Sequence, residues 1–128
     1  MARIYLCGGI NGLSDADCRT WRERAAELLP EHEVVDPMRR DYRGQEAGNA
    51  ANIVLADLDD IETCDAVIVN ATRPSWGTAM EIVYADQYEV PVFAFLGKDP
   101  HFASPWLTYH CRAVVETIEQ AAAAIRAL

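Results

Sequence analysis

Positive charge is scarce in this chain: 11 Lys and Arg stand against 20 Asp and Glu, for a net charge of −9. Such a surface repels a phosphate backbone, which argues against nucleic acid polymers and anionic membranes as partners. A small anion held by a local nest of donors is not excluded. Long apolar runs are also missing, and none approaches the roughly 18 residues of a helical membrane span. The four cysteines, Cys7, Cys18, Cys64 and Cys111, lie far apart without a CxxC pair, which removes zinc ribbons and CxxC redox motifs from consideration. No spacing of ligands suits a metal, and no organic cofactor is expected. Met1-Ala2-Arg3 runs straight into a short apolar segment with no signal-peptide h-region, so we expect a cytoplasmic protein with reduced thiols. Repeats, low-complexity linkers and breaks in composition are absent too. Residues 1–128 are therefore expected to form one domain, a length that buries a core without metals or disulfides.

What is present is an alternation of strand and helix signals. Arg3–Cys7, Glu33–Val35, Ala66–Asn70 and Val90–Leu96 are short and almost continuously apolar, the pattern of parallel strands covered on both faces. Ser14-Asp15-Ala16-Asp17 opens a helix carrying Trp21, Ala25, Leu28 and Leu29 at helical spacing, and Pro30 closes it. Further helices are predicted from about Asn49 to Thr63, from about Trp76 to Tyr88 behind a Ser75 cap, and from about Glu116 to Arg126. A short strand at Ala113–Val115 would complete an α/β, flavodoxin-like, doubly wound domain with a parallel sheet of about five strands. Asp36–Gly48 and Gly97–Arg112 read as loops. Ligands of open α/β sheets bind at the carboxyl ends of the strands, which directs attention to the residues after Leu6, Val35, Val69 and Leu96, Asn70 among them.

Several residues break the pattern of their own element. Glu81 lies in Thr78-Ala79-Met80-Glu81-Ile82-Val83-Tyr84-Ala85, apolar on every side, so its carboxylate must be paired, protonated or used. It sits near the positive end of its helix, where an anion is favoured. The alternative is a structural acid bonded to nearby backbone. Asp57 shares a helical stripe with Val54, Leu58 and Ile61, an inward acid among apolar neighbours. It suits base binding or proton transfer, or equally the capping of a loop. Asp59, Asp60 and Glu62 are expected on solvated faces.

Gly8-Gly9-Ile10-Asn11-Gly12 joins the first strand to a helix, where glycines let backbone approach a ligand and the helix N-terminus attracts anions. The spacing is not GxGxxG, which gives no support to dinucleotide binding. Tyr5 lies close to the same edge. Asp36-Pro37-Met38-Arg39-Arg40-Asp41-Tyr42-Arg43-Gly44 places three arginines in nine residues, with Arg40 and Tyr42 as candidate contacts; a salt-bridged loop is the plainer reading. Ser104-Pro105-Trp106-Leu107-Thr108-Tyr109-His110-Cys111 is aromatic and polar, but no separate histidine is positioned to make Cys111 a nucleophile.

Taken in order, Ile4-Tyr5-Leu6-Cys7-Gly8-Gly9-Ile10, Asp57, Cys64-Asp65-Ala66-Val67-Ile68-Val69-Asn70 and Pro74-Ser75-Trp76-Gly77-Thr78-Ala79-Met80-Glu81 resemble the nucleoside 2-deoxyribosyltransferases and their nucleotide N-hydrolase relatives. Gly77-x-x-x-Glu81 followed by Tyr84-Ala85 is the most specific part, and the likeness spans about Ile4 to Ala121. The resemblance implies that Glu81 attacks C1′ of a sugar, that Asp57 helps to protonate the leaving base, and that Tyr5 steadies Glu81. A second base then takes the sugar in the transferases, or water does in the hydrolases. It also implies a homo-oligomer, at least a dimer, with sites completed by a neighbouring subunit; His110 and Cys111 are the candidates for that contribution.

Classical transferases carry an aspartate six residues before the nucleophilic glutamate, where this chain has Ser75. The hydrolase branch has a serine there that contacts a 5′-phosphate, and a serine at a helix N-terminus suits a phosphate better than an aspartate does. Ser75 is also a good N-cap in its own right. Against the hydrolase branch, the chain as a whole, Asp36–Gly44 included, resembles compact proteins assigned to the transferases. Three readings therefore stand: deoxyribosyl transfer between bases, hydrolysis of a nucleoside 5′-monophosphate, and nucleotide binding without turnover.

Overall fold

The computed structural model describes all residues, Met1–Leu128. Five strands, β1 (Arg3–Cys7), β2 (Glu33–Val35), β3 (Ala66–Asn70), β4 (Val92–Phe95) and β5 (Ala113–Val115), form one parallel sheet in the order β2-β1-β3-β4-β5. Five α-helices flank it: α1 (Asp15–Leu28), α2 (Ala50–Glu62), α3 (Trp76–Gln87), α4 (Pro105–His110) and α5 (Ile118–Arg126). This is the expected flavodoxin-like α/β fold. No helix is long and apolar enough to cross a membrane.

The three central strands, β1, β3 and β4, bury both faces, as their unbroken apolar runs required. Tyr5, Cys7, Val67 and Val69 point into a core with Ile61, Ile82 and Ala85, on the side of α2 and α3. Ile4, Leu6, Ile68 and Phe93 point the other way, against Ala25 of α1, Leu29 just past its end, and Ala121 and Ile125 of α5. The strand order reverses direction at β1, so the carboxyl ends of β1 and β3 flank the crevice where such sheets bind ligands.

Four expectations are corrected. Gly97–Arg112 is not a plain loop, because it holds a 3-10 turn, Pro100–Phe102, and α4, each begun by an acid or serine cap followed by proline. Val54 does not face inward: it is half exposed, and the inward stripe of α2 runs through Ile53, Asp57 and Ile61 instead. Asp60 is not solvated. It shares Asp57's face three residues on, where Arg39 and Arg40 bind it. The fourth strand is shorter than the run Val90–Leu96, though pairing extends past its ends: Pro91 O accepts from Val67 N, and Leu96 N donates to Val115 O.

Candidate active site

At the carboxyl edge of β1, a cavity of about 200 Å³ opens between the β1–α1 turn, the segment after β2, α2 and α3. Glu81 and Asp57 both line it. Glu81 is one turn into α3, whose start is set by the Ser75 hydroxyl accepting from Thr78 N. Behind the cavity, the fully buried Tyr5 hydroxyl donates to Glu81 Oε2 at 2.5 Å. Burial is the main influence on Glu81 and raises its pKa to about 7, against the pull of the Tyr5 hydrogen bond. The charge on Asp57 pushes it up further, and Arg22 draws it down. A carboxyl group of this kind, held by one donor and open to a cavity, has the chemistry to act as a nucleophile or a base.

Asp57 is held differently. Burial raises its pKa from the ordinary aspartate range, opposed by the Arg40 guanidinium bound to Oδ1 at 3.1 Å. Arg40 is itself tied to Asp60 at 2.6 Å, and Asp60 to Arg39 at 2.8 Å. Glu81 and Asp57 are thus unlike: Glu81 is desolvated with a neutral partner, Asp57 is ion-paired. Environments that separate two carboxyl groups in this way are how proteins divide nucleophile from proton-handling roles.

The fold assembles most of the sequence-derived site. Gly8, Ile10, Asn11, Arg40, Tyr42, Ser75 and Gly77 line the cavity with Glu81 and Asp57. Gly9 and Asn70 lie in an adjoining polar groove of about 380 Å³, which also holds Asn11, Arg73, Ser75 and the first turn of α3. Asn70 has a local duty, because Oδ1 accepts from the backbone N and the hydroxyl of Thr72. The glycines divide by role. A Cβ at Gly8 would stand 2.6 Å from the Trp21 ring, so packing alone demands glycine there. A Cβ at Gly77 would meet nothing within 4 Å, and its place on the cavity wall is what a side chain would obstruct.

His110 and Cys111 are not brought to this cavity. His110 Nδ1 lies 2.9 Å from Asp86 Oδ2, and Cys111 packs against the core, where burial first and then Asp86 push its thiol up to about 12. Sequence reasoning missed Arg22, Asp60 and Thr78. Thr78 had a signal, being three residues before Glu81 and so on the same helical face. Arg22 had none, since only the fold shows what surrounds it.

The sheet order and the cavity define an α/β domain with a buried carboxylate at its switch point. More specifically, the chain belongs to the nucleoside 2-deoxyribosyltransferase family, whose model matches residues 4–116. Among solved structures it is similar to a conserved protein from Enterococcus faecalis V583, with 18% identity, a TM-score of 0.78, and 99% and 98% of the two chains covered. It is also similar to the 2-deoxyribosyltransferase of the psychrotolerant bacterium Bacillus psychrosaccharolyticus, with 20% identity, a TM-score of 0.73, and coverage of 94% and 90%. A 2-desoxiribosyltransferase from Leishmania mexicana has 21% identity, a TM-score of 0.72, and coverage of 98% and 97%. These three likenesses establish the fold. No curated protein matches the chain.

Proposed function

We propose that the protein cleaves the N-glycosidic bond of 2′-deoxynucleosides and transfers the deoxyribosyl group to a second nucleobase. The observation that carries the reading is Glu81: a buried carboxylate, bonded to Tyr5 and facing a cavity that also contains Asp57, in a chain of this family. Glu81 attacks C1′ from the face opposite the base, forming a C1′–O bond as the C1′–N bond breaks. The electron pair leaves on the base nitrogen, and Asp57 supplies the proton. A nitrogen of the incoming base then attacks C1′, Glu81 departs as carboxylate, and the proton lost by that base returns to Asp57. Two inversions give net retention. The remaining cavity residues, Arg40 and Tyr42 on the base side and the Gly8–Asn11 turn and Gly77 on the sugar side, hold the substrate. Oligomers complete the site across their interface, with His110 and Cys111 on the contributing segment.

A second reading, hydrolysis of a nucleoside 5′-monophosphate by the same Glu81 chemistry, is favoured by the polar groove beside the cavity. Ser75, Arg73 and the start of α3 offer donors there, and Ser75 is only loosely engaged as a cap, 3.5 Å from Thr78 N. The groove's one acid, Asp17, already faces Arg73 at 3.3 Å.

The test is chromatographic. Purified protein is incubated with deoxyadenosine, deoxycytidine or their 5′-monophosphates, with and without a second free base. A new nucleoside that depends on the added base is expected; free base and sugar phosphate from the monophosphate alone would establish the hydrolase instead. Glu81→Ala is expected to abolish either activity, and Asp57→Asn to slow it strongly with the fold intact. Normal turnover by Glu81→Ala would end the proposal.

A further inference from the structure

Asp57 and Asp60 stand three residues apart on α2, so their side chains share one face of the helix. Like charges at that spacing repel, and one guanidinium is held between them. Arg40 Nη2 donates to Asp60 Oδ2 at 2.6 Å and to Asp57 Oδ1 at 3.1 Å. The other oxygen of Asp60, Oδ1, accepts from Arg39 Nη2 at 2.8 Å. Both arginines come from the turn after β2, which is itself fixed. Asp36 Oδ1 accepts from Met38 N, Arg40 N donates to Pro37 O, and Arg39 Nη1 donates to Asp36 O. Asp60 is thus buried and bound through both oxygens. Asp57 is bound through one: its Oδ2 accepts from no group of the chain and is not sealed from solvent.

An acid that must hand over a proton is poorly served by a full ion pair, because an adjacent cation favours the charged form. The shorter bond gives Asp60 the larger share of the Arg40 charge. The longer one leaves Arg40 to orient Asp57. One arginine therefore meets two different outcomes. Burial opposes the charge of Asp60, yet Arg39 and Arg40 together hold it below the ordinary aspartate range. At Asp57, burial prevails over Arg40 and holds the group above that range. The other groups that act on or feel Asp57 are Arg22 of α1, Tyr5 and Cys7 of β1, and Glu81 of α3. Glu46 and the Asp41–Arg43 pair line the same cavity.

We infer that Asp60 is a positioning residue for the reaction: anchored by Arg39, it occupies the Arg40 guanidinium, so that Arg40 orients Asp57 through Oδ1 and leaves Oδ2 to carry the proton for the departing base. The inference rests on Asp57 being the proton donor of the proposed reaction. As the C1′–N bond breaks, its electron pair takes the proton from Oδ2, and the incoming base returns one to the same oxygen. Between the two steps Asp57 is a carboxylate, and Arg40 is already in place to stabilise it.

The experiment labels the aspartate carboxyl carbons with ¹³C and follows them by NMR through a pH titration. The signals are assigned by their loss in Asp57→Asn and Asp60→Asn. In the wild type, Asp57 is expected to titrate above the ordinary value of 3.8 and Asp60 below it. Asp60→Asn releases Arg40 to Asp57, and is expected to lower the Asp57 midpoint by about one pH unit, roughly tenfold in ionisation equilibrium. Asp60→Glu keeps the charge and is expected to stay near wild type. In an Arg40→Gln background the shift caused by Asp60→Asn is expected to be less than half as large, because the route through Arg40 is gone. The single-turnover rate of base release by Asp60→Asn is expected to fall about tenfold at pH 7, its alkaline limb moving down with the Asp57 midpoint. An unchanged midpoint in Asp60→Asn, a shift of equal size without Arg40, or a lowered midpoint with an unchanged rate each overturns the inference. Should Asp60→Asn fail to fold, wild-type midpoints that coincide or stand in the opposite order overturn it as well. The titration is read without turnover, so the expected shifts in a protein that releases no base would sink the proposed reaction and leave the hold of Asp60 on Arg40 standing.

Discussion

Glu81 is costly where it stands, and the cost depends on pH. Its carboxyl group titrates near 4.5 in an unfolded chain and near 7 in the folded one. Between those values the folded state binds the extra proton, so stability falls as pH rises through the window and the full cost is present above it. From that difference the cost is at most about 3.5 kcal/mol, since each pH unit corresponds to about 1.4. Glu81→Gln keeps the shape and removes the charge. It is expected to raise the melting temperature at pH 8 and to leave it nearly unchanged at pH 4, measured by scanning calorimetry. Equal effects at both pH values would mean that Glu81 is not desolvated in the folded protein. The same titration sets activity: kcat/KM is expected to rise with pH through about 7, as the nucleophile ionises.

At the scale of elements, the first turn of α3 does three jobs at once. Ser75 begins the helix, Gly77 keeps the cavity wall clear, and Glu81 follows one turn later. Gly77→Ala is expected to stabilise the fold by up to about 1 kcal/mol through helix propensity, yet to lower kcat/KM about tenfold or more by occupying the cavity. Gly8→Ala is expected to do the reverse, costing about 1–3 kcal/mol as Trp21 is forced aside. Ser75→Asp retains a capping side chain but places a carboxylate in the polar groove, so activity on monophosphates is expected to fall selectively. Equal loss on nucleosides and monophosphates would reduce Ser75 to a cap.

The elements were legible where pattern alone determines them. Apolar runs announced four of the strands, and the fifth, Ala113–Val115, was expected as the one that would complete the sheet. Cap residues placed the starts of α1 and α3 closely. Glu81 and Asp57 stood out as acids among apolar neighbours, and both proved to share one cavity. The residues that escaped notice depend on distant chain. Asp60 looks like one more solvated acid until Arg39 and Arg40 arrive from the segment after β2. Arg22 looks like a surface residue of α1 until the early end of β2 exposes carbonyls for it. α4 was hidden for another reason: at six residues it is too short to show a period.

At the scale of the whole molecule, several large apolar side chains stand exposed on α2, α3 and α4. Trp76 and Met80 lie a turn apart on α3, 86% and 66% exposed, and Val54 and Leu55 of the neighbouring α2 are exposed as well. Trp106 and Tyr109 extend the patch character to α4. Large apolar side chains exposed on neighbouring helices suit the association face that the proposed oligomer requires. The oligomer proposed above is expected to show as a dimer or larger species in sedimentation velocity, and Met80→Glu to shift it toward monomer with loss of base exchange. A monomeric, fully active wild type would remove the shared-site part of the proposal.

The placement of the three tryptophans makes the protein its own optical reporter. Trp21 is half-buried against Phe95 and Arg22, whereas Trp76 and Trp106 stand open to water. Emission from a lone chain is therefore dominated by hydrated indoles, red-shifted and readily quenched by iodide or acrylamide. Once a second chain or a ligand covers α3 and α4, the spectrum moves to shorter wavelength and the quencher loses access. Association and substrate capture can thus be followed on the unlabelled protein, with the half-buried Trp21 as the internal baseline.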